Sequence, residues 1–115
     1  MAHWLRKFRL AAQGVIWGIR GQSSFAVHVP AAIAVVLLAI FLQCPMWEWC
    51  VLIACIGGVC AAELANSALE EIAAAVSPDH NVRVGRALDI ASGAVLIASI
   101  TAAIIGMLIF LPRLM

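Results

Sequence analysis

Glu63, Asn66, Ser67 and Glu70 stand three, four and seven residues apart, counted from the first of them. On a helix this spacing lines two carboxylates, an amide and a hydroxyl along one stripe. The stretch around them is apolar, and inserting an acid at the centre of a bilayer costs roughly 2.5 to 3.5 kcal/mol. Core packing does not explain two acids on one such face, so the stripe marks a functional site. Its residue types suit two tasks: holding a divalent cation and taking a proton from a hydroxyl nucleophile. Magnesium accepts one or two carboxylates completed by substrate phosphates and water, which an interfacial Glu70 can offer. Glu63 lies about two turns deeper, at the depth of a lipid hydroxyl, where partial desolvation suits it to general-base work. Asn66, between them, can orient either ligand.

The elements that must position the stripe follow from composition. The chain has 115 residues, is 65% hydrophobic and only 11% charged, with apolar runs too continuous for a soluble domain of this size. The expected class is an all-α integral membrane protein forming a single membrane domain over 1–115. Residues 1–21 read as an amphipathic interfacial helix, because Arg6, Lys7, Arg9 and Arg20 interleave with Trp4, Phe8, Leu10, Val15, Ile16 and Trp17, a pattern unlike a cleavable signal. Three spans are expected, over 24–43, 47–76 and 85–111. The last contains an uncharged run from Ile90 to Leu111, long enough to cross a hydrocarbon core of about 30 Å. The second, at about 45 Å, outruns that core and projects its last two turns into the interface. Pro30 either opens the first span or kinks it. Lys and Arg gather at the N-terminus and near 77–86, while the loop around Gln43 to Glu48 has none. The expected topology therefore has a cytoplasmic N-terminus, with the stripe's Glu70 end and Asp89 at the cytoplasmic face. Arg113 is one opposing charge.

Other candidates read as structural. Cys44, Cys50, Cys55 and Cys60 form no CxxC pair and are expected to act as small hydrophobes, a Cys44–Cys50 bridge being the alternative. Glu48, between Trp47 and Trp49, is expected to be a solvated acid in an aromatic belt. Glu71 falls about 100° off the stripe and is expected to be solvated or at a subunit contact. His28 reads as a hydrogen-bonded structural histidine. Gly57, Gly58, Ala61 and Ala62, with Ala91, Ala94, Ala98 and Ala102, provide small faces for close helix packing. A net charge of +1, with the basic residues placed as membrane anchors, argues against nucleic acid as a partner.

The run Ala62-Glu63-Leu64-Ala65-Asn66-Ser67-Ala68-Leu69-Glu70, then Pro78-Asp79-His80 and Ala87-Leu88-Asp89-Ile90-Ala91-Ser92-Gly93-Ala94-Val95, resembles the bacterial integral-membrane diacylglycerol kinase and undecaprenol kinase family. Ala11-Ala12-Gln13-Gly14, Phe25 and His28 resemble its opening. The resemblance implies a homotrimer in the bacterial inner membrane, with active sites between protomers, moving the terminal phosphoryl group of ATP, with Mg²⁺, to a diacylglycerol- or undecaprenol-type lipid alcohol. It assigns Glu63 as catalytic base, Asn66 as active-site amide, and Glu70 and Gln22 to the metal positions. Asp79, His80, Arg86 and Asp89 fall to the nucleotide, and Ser67 and Ser92, with Glu63, to the lipid substrate. Such chemistry needs positioning and charge neutralisation more than a glycine-rich loop.

The chain departs from that family's pattern at several points. Gln22 stands where a metal-binding Glu is usual, Leu88 where a Lys precedes the Asp, and Ala74 where an Asp is usual, while His80 falls one place early. Arg86, three residues before Asp89, is the expected substitute cation. An active lipid kinase is one reading; a non-catalytic relative binding a cation, nucleotide or lipid is the alternative. An ion carrier is a weaker third, because Val51 to Ala62 offers no polar continuation of the stripe.

Overall fold

A computed structural model of the chain describes residues 2–21, 25–76 and 81–115. Gln22, Asp79 and His80 lie outside the described residues. The elements are four helices, α1 (Ala2–Gly21), α2 (Phe25–Phe41), α3 (Met46–Val76) and α4 (Val82–Leu114). Both α3 and α4 are long and apolar enough to cross a membrane, and the count reaches three when α1 and α2 are taken together as one bent span. The helix α2 has 17 residues and runs through Pro30, so this proline does not open it. At about 25 Å it is near the short limit for a spanning helix.

The helices α3 and α4 pair most extensively, and α1 and α2 each lie against α3. One approach is unusually close: a Cβ added to Gly18 of α1 would come within 2.3 Å of Leu64 Cδ2 on α3. Asn81 caps α4, its side-chain oxygen accepting from the Arg83 N–H at 2.9 Å and the Val84 N–H at 3.2 Å. These bonds satisfy two of the amides a helix start leaves unpaired.

A tight turn joins α2 to α3. Gln43, at φ 53°, sits in the left-handed region that usually ends a helix. Its N–H donates to the Ile40 carbonyl and that of Cys44 to the Ala39 carbonyl, closing a Schellman motif. Cys44 and Ala39 then join Leu52, Ile109 and Phe110 in the buried cluster at this end of the bundle. All four cysteines are free thiols, so Cys44 and Cys50 are not bridged.

At the same end the expectation of a solvated Glu48 is overturned. This residue is only 6% exposed, and Arg113, near the end of α4, donates from Nη2 to its Oε1 at 2.5 Å. A carboxylate withdrawn from water needs such a partner, and the tryptophans beside it in sequence did not indicate one. Burial raises the pKa of the neighbouring Cys44 thiol above its ordinary value, and its hydrogen bond to Glu48 adds to the rise, with Arg113 acting in the opposite direction.

Candidate active site

The expected stripe lies on one long helix and is graded in exposure. Glu63, Asn66 and Ser67 are buried at 3%, 7% and 7%, while Glu70 and Glu71 are exposed. The hydroxyl of Ser67 donates to the Glu63 backbone carbonyl at 3.0 Å, the local bond that a helical serine makes one turn back. Asn66 Nδ2 donates to Glu70 Oε1 at 2.9 Å, locking the amide against the outer carboxylate. The amide's orientation follows from chemistry, since its flipped form would set a carbonyl oxygen against a carboxylate. In this orientation Asn66 Oδ1 is buried without a hydrogen-bond partner among the described residues.

The same face of α3 continues past Glu63 toward the other end of the bundle. At helical spacing Cys60, Val59, Ile56, Cys55 and Leu52 follow, and these residues line a cavity of about 220 Å³ between α2, α3 and α4. Ala31, Ala32, Val35, Ala102, Ala103 and Gly106, with Ser99, complete a mostly apolar wall. His28 lines it on the α2 side and meets Phe25 edge-on, ring centroids 6.4 Å apart. A second, larger crevice of about 690 Å³ separates α1 from α3, and Arg20, Ser67 and Glu71 are its polar lining. Glu71, expected off the stripe, thus faces α1. Arg20 and Trp17 also line this crevice, although sequence reasoning placed them only in an interfacial helix.

The remaining candidates lie on the first turns of α4. Arg86, Asp89 and Ser92 are exposed and Leu88 is half-buried. Among the described residues Arg86 makes no ion pair with Asp89, so the expected cation is not joined to that carboxylate. No group of three or more His, Cys, Asp or Glu able to hold a metal occurs among the described residues. The oxygens that Glu70 and Asn66 Oδ1 present nevertheless fit magnesium, a hard cation that needs few protein ligands when phosphates and water supply the rest.

Comparison with known proteins identifies the family. The family model of the prokaryotic diacylglycerol kinases matches residues 9–110. The undecaprenol kinase of Bacillus subtilis is 32% identical over 111 residues, covering 96% of this chain and 90% of that protein. A diacylglycerol kinase of Synechocystis is 34% identical over 112 residues, covering 96% of this chain but 64% of the longer relative. No solved structure gives a significant match. With nearly all of its length matched, including the polar stripe and the start of α4, the chain belongs to the prokaryotic diacylglycerol kinase family.

Proposed function

We propose that this chain is an ATP-dependent kinase of a lipid alcohol, with the reacting hydroxyl held at Glu63. The observation that carries this reading is the gradation along one face of α3, from apolar cavity to buried carboxylate to exposed carboxylate. A lipid alcohol entering a phosphoryl-transfer site has the same order of chemistry: hydrocarbon, hydroxyl, phosphate. A soluble substrate needs no apolar lead-in, and an ion path needs polar groups where this cavity has almost none.

In this mechanism Glu63 accepts the proton of the lipid hydroxyl as its oxygen attacks the γ-phosphorus of ATP. The bond from that phosphorus to the β,γ-bridging oxygen breaks, and ADP leaves with the bond's electrons. The neighbouring Asn66 fixes Glu70 through the 2.9 Å hydrogen bond, and its own Oδ1, buried without a partner among the described residues, keeps capacity to accept. Magnesium, when bound with the nucleotide, supplies neutralisation of the phosphate charge. Glu70 and Asn66 would hold it on the described face, with Gln22 as a further oxygen donor from the family pattern. Asp89 and Arg86 are assigned to the nucleotide side, together with Asp79 and His80, and Ser92 to the acceptor. A homotrimer, with the site completed between protomers at the cytoplasmic face of the inner membrane, belongs to the same reading.

At about 220 Å³ the cavity lies below the usual range of roughly 300 to 1,000 Å³ for small-molecule pockets and admits part of one hydrocarbon chain. The choice of acceptor rests on the relative covered over 90% of its length, an undecaprenol kinase, which puts a polyprenol before a diacylglycerol. The test is phosphorylation from ATP in mixed micelles, with polyprenol and diacylglycerol as competing acceptors and Glu63→Gln as control. Preferential polyprenol phosphorylation, abolished by Glu63→Gln, is expected. No turnover with either acceptor by a folded protein that still binds ATP would replace this reading with the non-catalytic one.

A further inference from the structure

The ion pair between Glu48 and Arg113 joins residues 65 apart in sequence at the end of the bundle away from the acidic stripe. Glu48 is in the first turn of α3 and Arg113 in the last turn of α4, so the pair sets one helix against the other along their length. Residues shared between the two helices are compatible with this register: Leu52 and Ile109 belong to one buried cluster, and Cys55 and Val59 line one cavity with Ala102 and Gly106. With the first turn of α3 against the last turn of α4 the helices run antiparallel, so each step up α3 corresponds to an equal step down α4. Moving 22 residues from Glu48 reaches Glu70, and moving 22 back from Arg113 reaches Ala91. Asp89 therefore lies within two residues, or about 3 Å of axial rise, of the level of Glu70.

We propose that Glu48 and Arg113 are positioning residues for phosphoryl transfer: their ion pair fixes the register that brings Asp89 level with Glu70. The proposal rests on the kinase reading for the roles of those two carboxylates. Two features suit the pair to this task. On the α4 side the cavity between the two ends is lined by Ser99, Ala102, Ala103 and Gly106, small side chains that offer Leu52, Ile56 and Val59 of α3 few knobs to fix axial position. The Schellman turn and Cys44 hold the start of α3, which makes Glu48 a fixed anchor for the end of α4. A buried charge pair serves specificity of register more reliably than stability.

The test separates register from activity. Gly106 can carry a side chain without meeting another atom within 4 Å. In the full-length protein, Gly106→Cys beside native Cys55, with Cys44, Cys50 and Cys60 replaced by Ala, therefore gives a reporter for a short bifunctional maleimide. Intramolecular cross-linking is expected in the parent, a loss of about fivefold in Glu48→Gln, and recovery in the swap Glu48→Arg with Arg113→Glu. The KM for MgATP, measured on chains with their native cysteines, should rise about fivefold in Glu48→Gln and return in the swap, although the mutated residue is about 33 Å from Glu70 along the helix. Arg113→Lys, which keeps the charge, provides a second variant should Glu48→Gln not fold, with intermediate values expected. Unchanged cross-linking in either variant overturns the latch. Lost cross-linking with unchanged KM overturns its link to Asp89. If the parent phosphorylates no acceptor, the kinase reading fails by itself, while cross-linking and the affinity for a fluorescent ATP analogue still decide the proposal.

Discussion

Asn66→Leu should separate activity from stability in this protein. Leucine is close to asparagine in size, and the substitution changes three terms. It removes the hydrogen bond from Nδ2 to Glu70 Oε1; a bond to a charged acceptor contributes about 1.5 to 3 kcal/mol. Because Glu70 is exposed, water replaces the lost donor and the cost falls at or below the lower end. The substitution also removes Oδ1, buried without a partner among the described residues, relieving a desolvation cost of about 1 to 3 kcal/mol. Finally, it puts an apolar side chain at a position only 7% exposed, which adds about 1 kcal/mol or more. The sum is neutral to stabilising by about 2 kcal/mol.

Activity should move the other way. Without Nδ2 the Glu70 carboxylate loses the bond that orients it from Asn66, and without Oδ1 the face loses a buried acceptor beside it. A fall of about 100-fold in kcat/KM is expected, equivalent to about 2.7 kcal/mol of transition-state stabilisation. Stability is read by SDS titration of the helical protein in mixed micelles, and activity by phosphoryl transfer under the same conditions. A stability loss above about 2 kcal/mol would show that Asn66 serves the fold and that its carbonyl is not a stranded group. Activity within about threefold of the parent would remove Asn66 from the site altogether.

Glu70→Gln should keep the fold and raise the magnesium concentration for half-maximal rate about tenfold, because the exposed carboxylate is lost while an oxygen donor stays; a magnesium titration of the initial rate checks this. Gly18→Val should force the Leu64 side chain to swing aside while α1 stays docked, because only the tip of that flexible side chain is in the way; unchanged protease cleavage within α1 checks this. The Cys44 thiol, raised by burial and by Glu48 with Arg113 opposing, should react slowly with a water-soluble maleimide at pH 8 and fast once SDS unfolds the protein. Glu48→Gln removes the contributions from that residue and leaves Arg113, so labelling of the folded protein at pH 8 should accelerate. Because the folded thiol titrates above its unfolded value of 9.0, the stability it contributes is fully present below that pH and is lost as pH rises past it through the folded value.

What was legible in the sequence was mostly local to one helix. Spacings of three and four put Glu63, Asn66, Ser67 and Glu70 on one face of α3, and apolar length announced a helical membrane protein; both depend only on periodicity along a single element. The motif around Glu63 and the start of α4 was specific enough to indicate the family. The features missed require two or three helices at once. Glu48 beside two tryptophans has the signature of an aromatic belt, and nothing local reveals that Arg113, 65 residues on, closes over it. The apolar cavity draws its wall from α2, α3 and α4, so no single stretch carries its signal. Arg20 and Trp17 gave an amphipathic pattern that predicted the headgroup region but not the crevice they line with Glu71.

The departures from the family pattern also compensate one another in charge. Gln22 and Ala74 each stand where a carboxylate is usual, and Leu88 where an ammonium is, so two negative charges and one positive are missing together. The net charge changes by only one unit against that pattern, and the loss of the cation is offset by the loss of acids that would have repelled the nucleotide's phosphates. Arg20, Arg83 and Arg86 remain, all exposed. An exposed arginine holds little energy in a surface pair while the site is empty, but its planar fork can bind a phosphate in two places when one arrives. A lysine fixed beside Asp89 neutralises charge in advance; exposed arginines do so only on binding. If the chain is the kinase proposed above, the catalytic demand then falls on whatever keeps Asp89 and Glu70 aligned before the nucleotide enters. On that proposal the register between α3 and α4 would carry more of the mechanism than in a relative with the full set of charges.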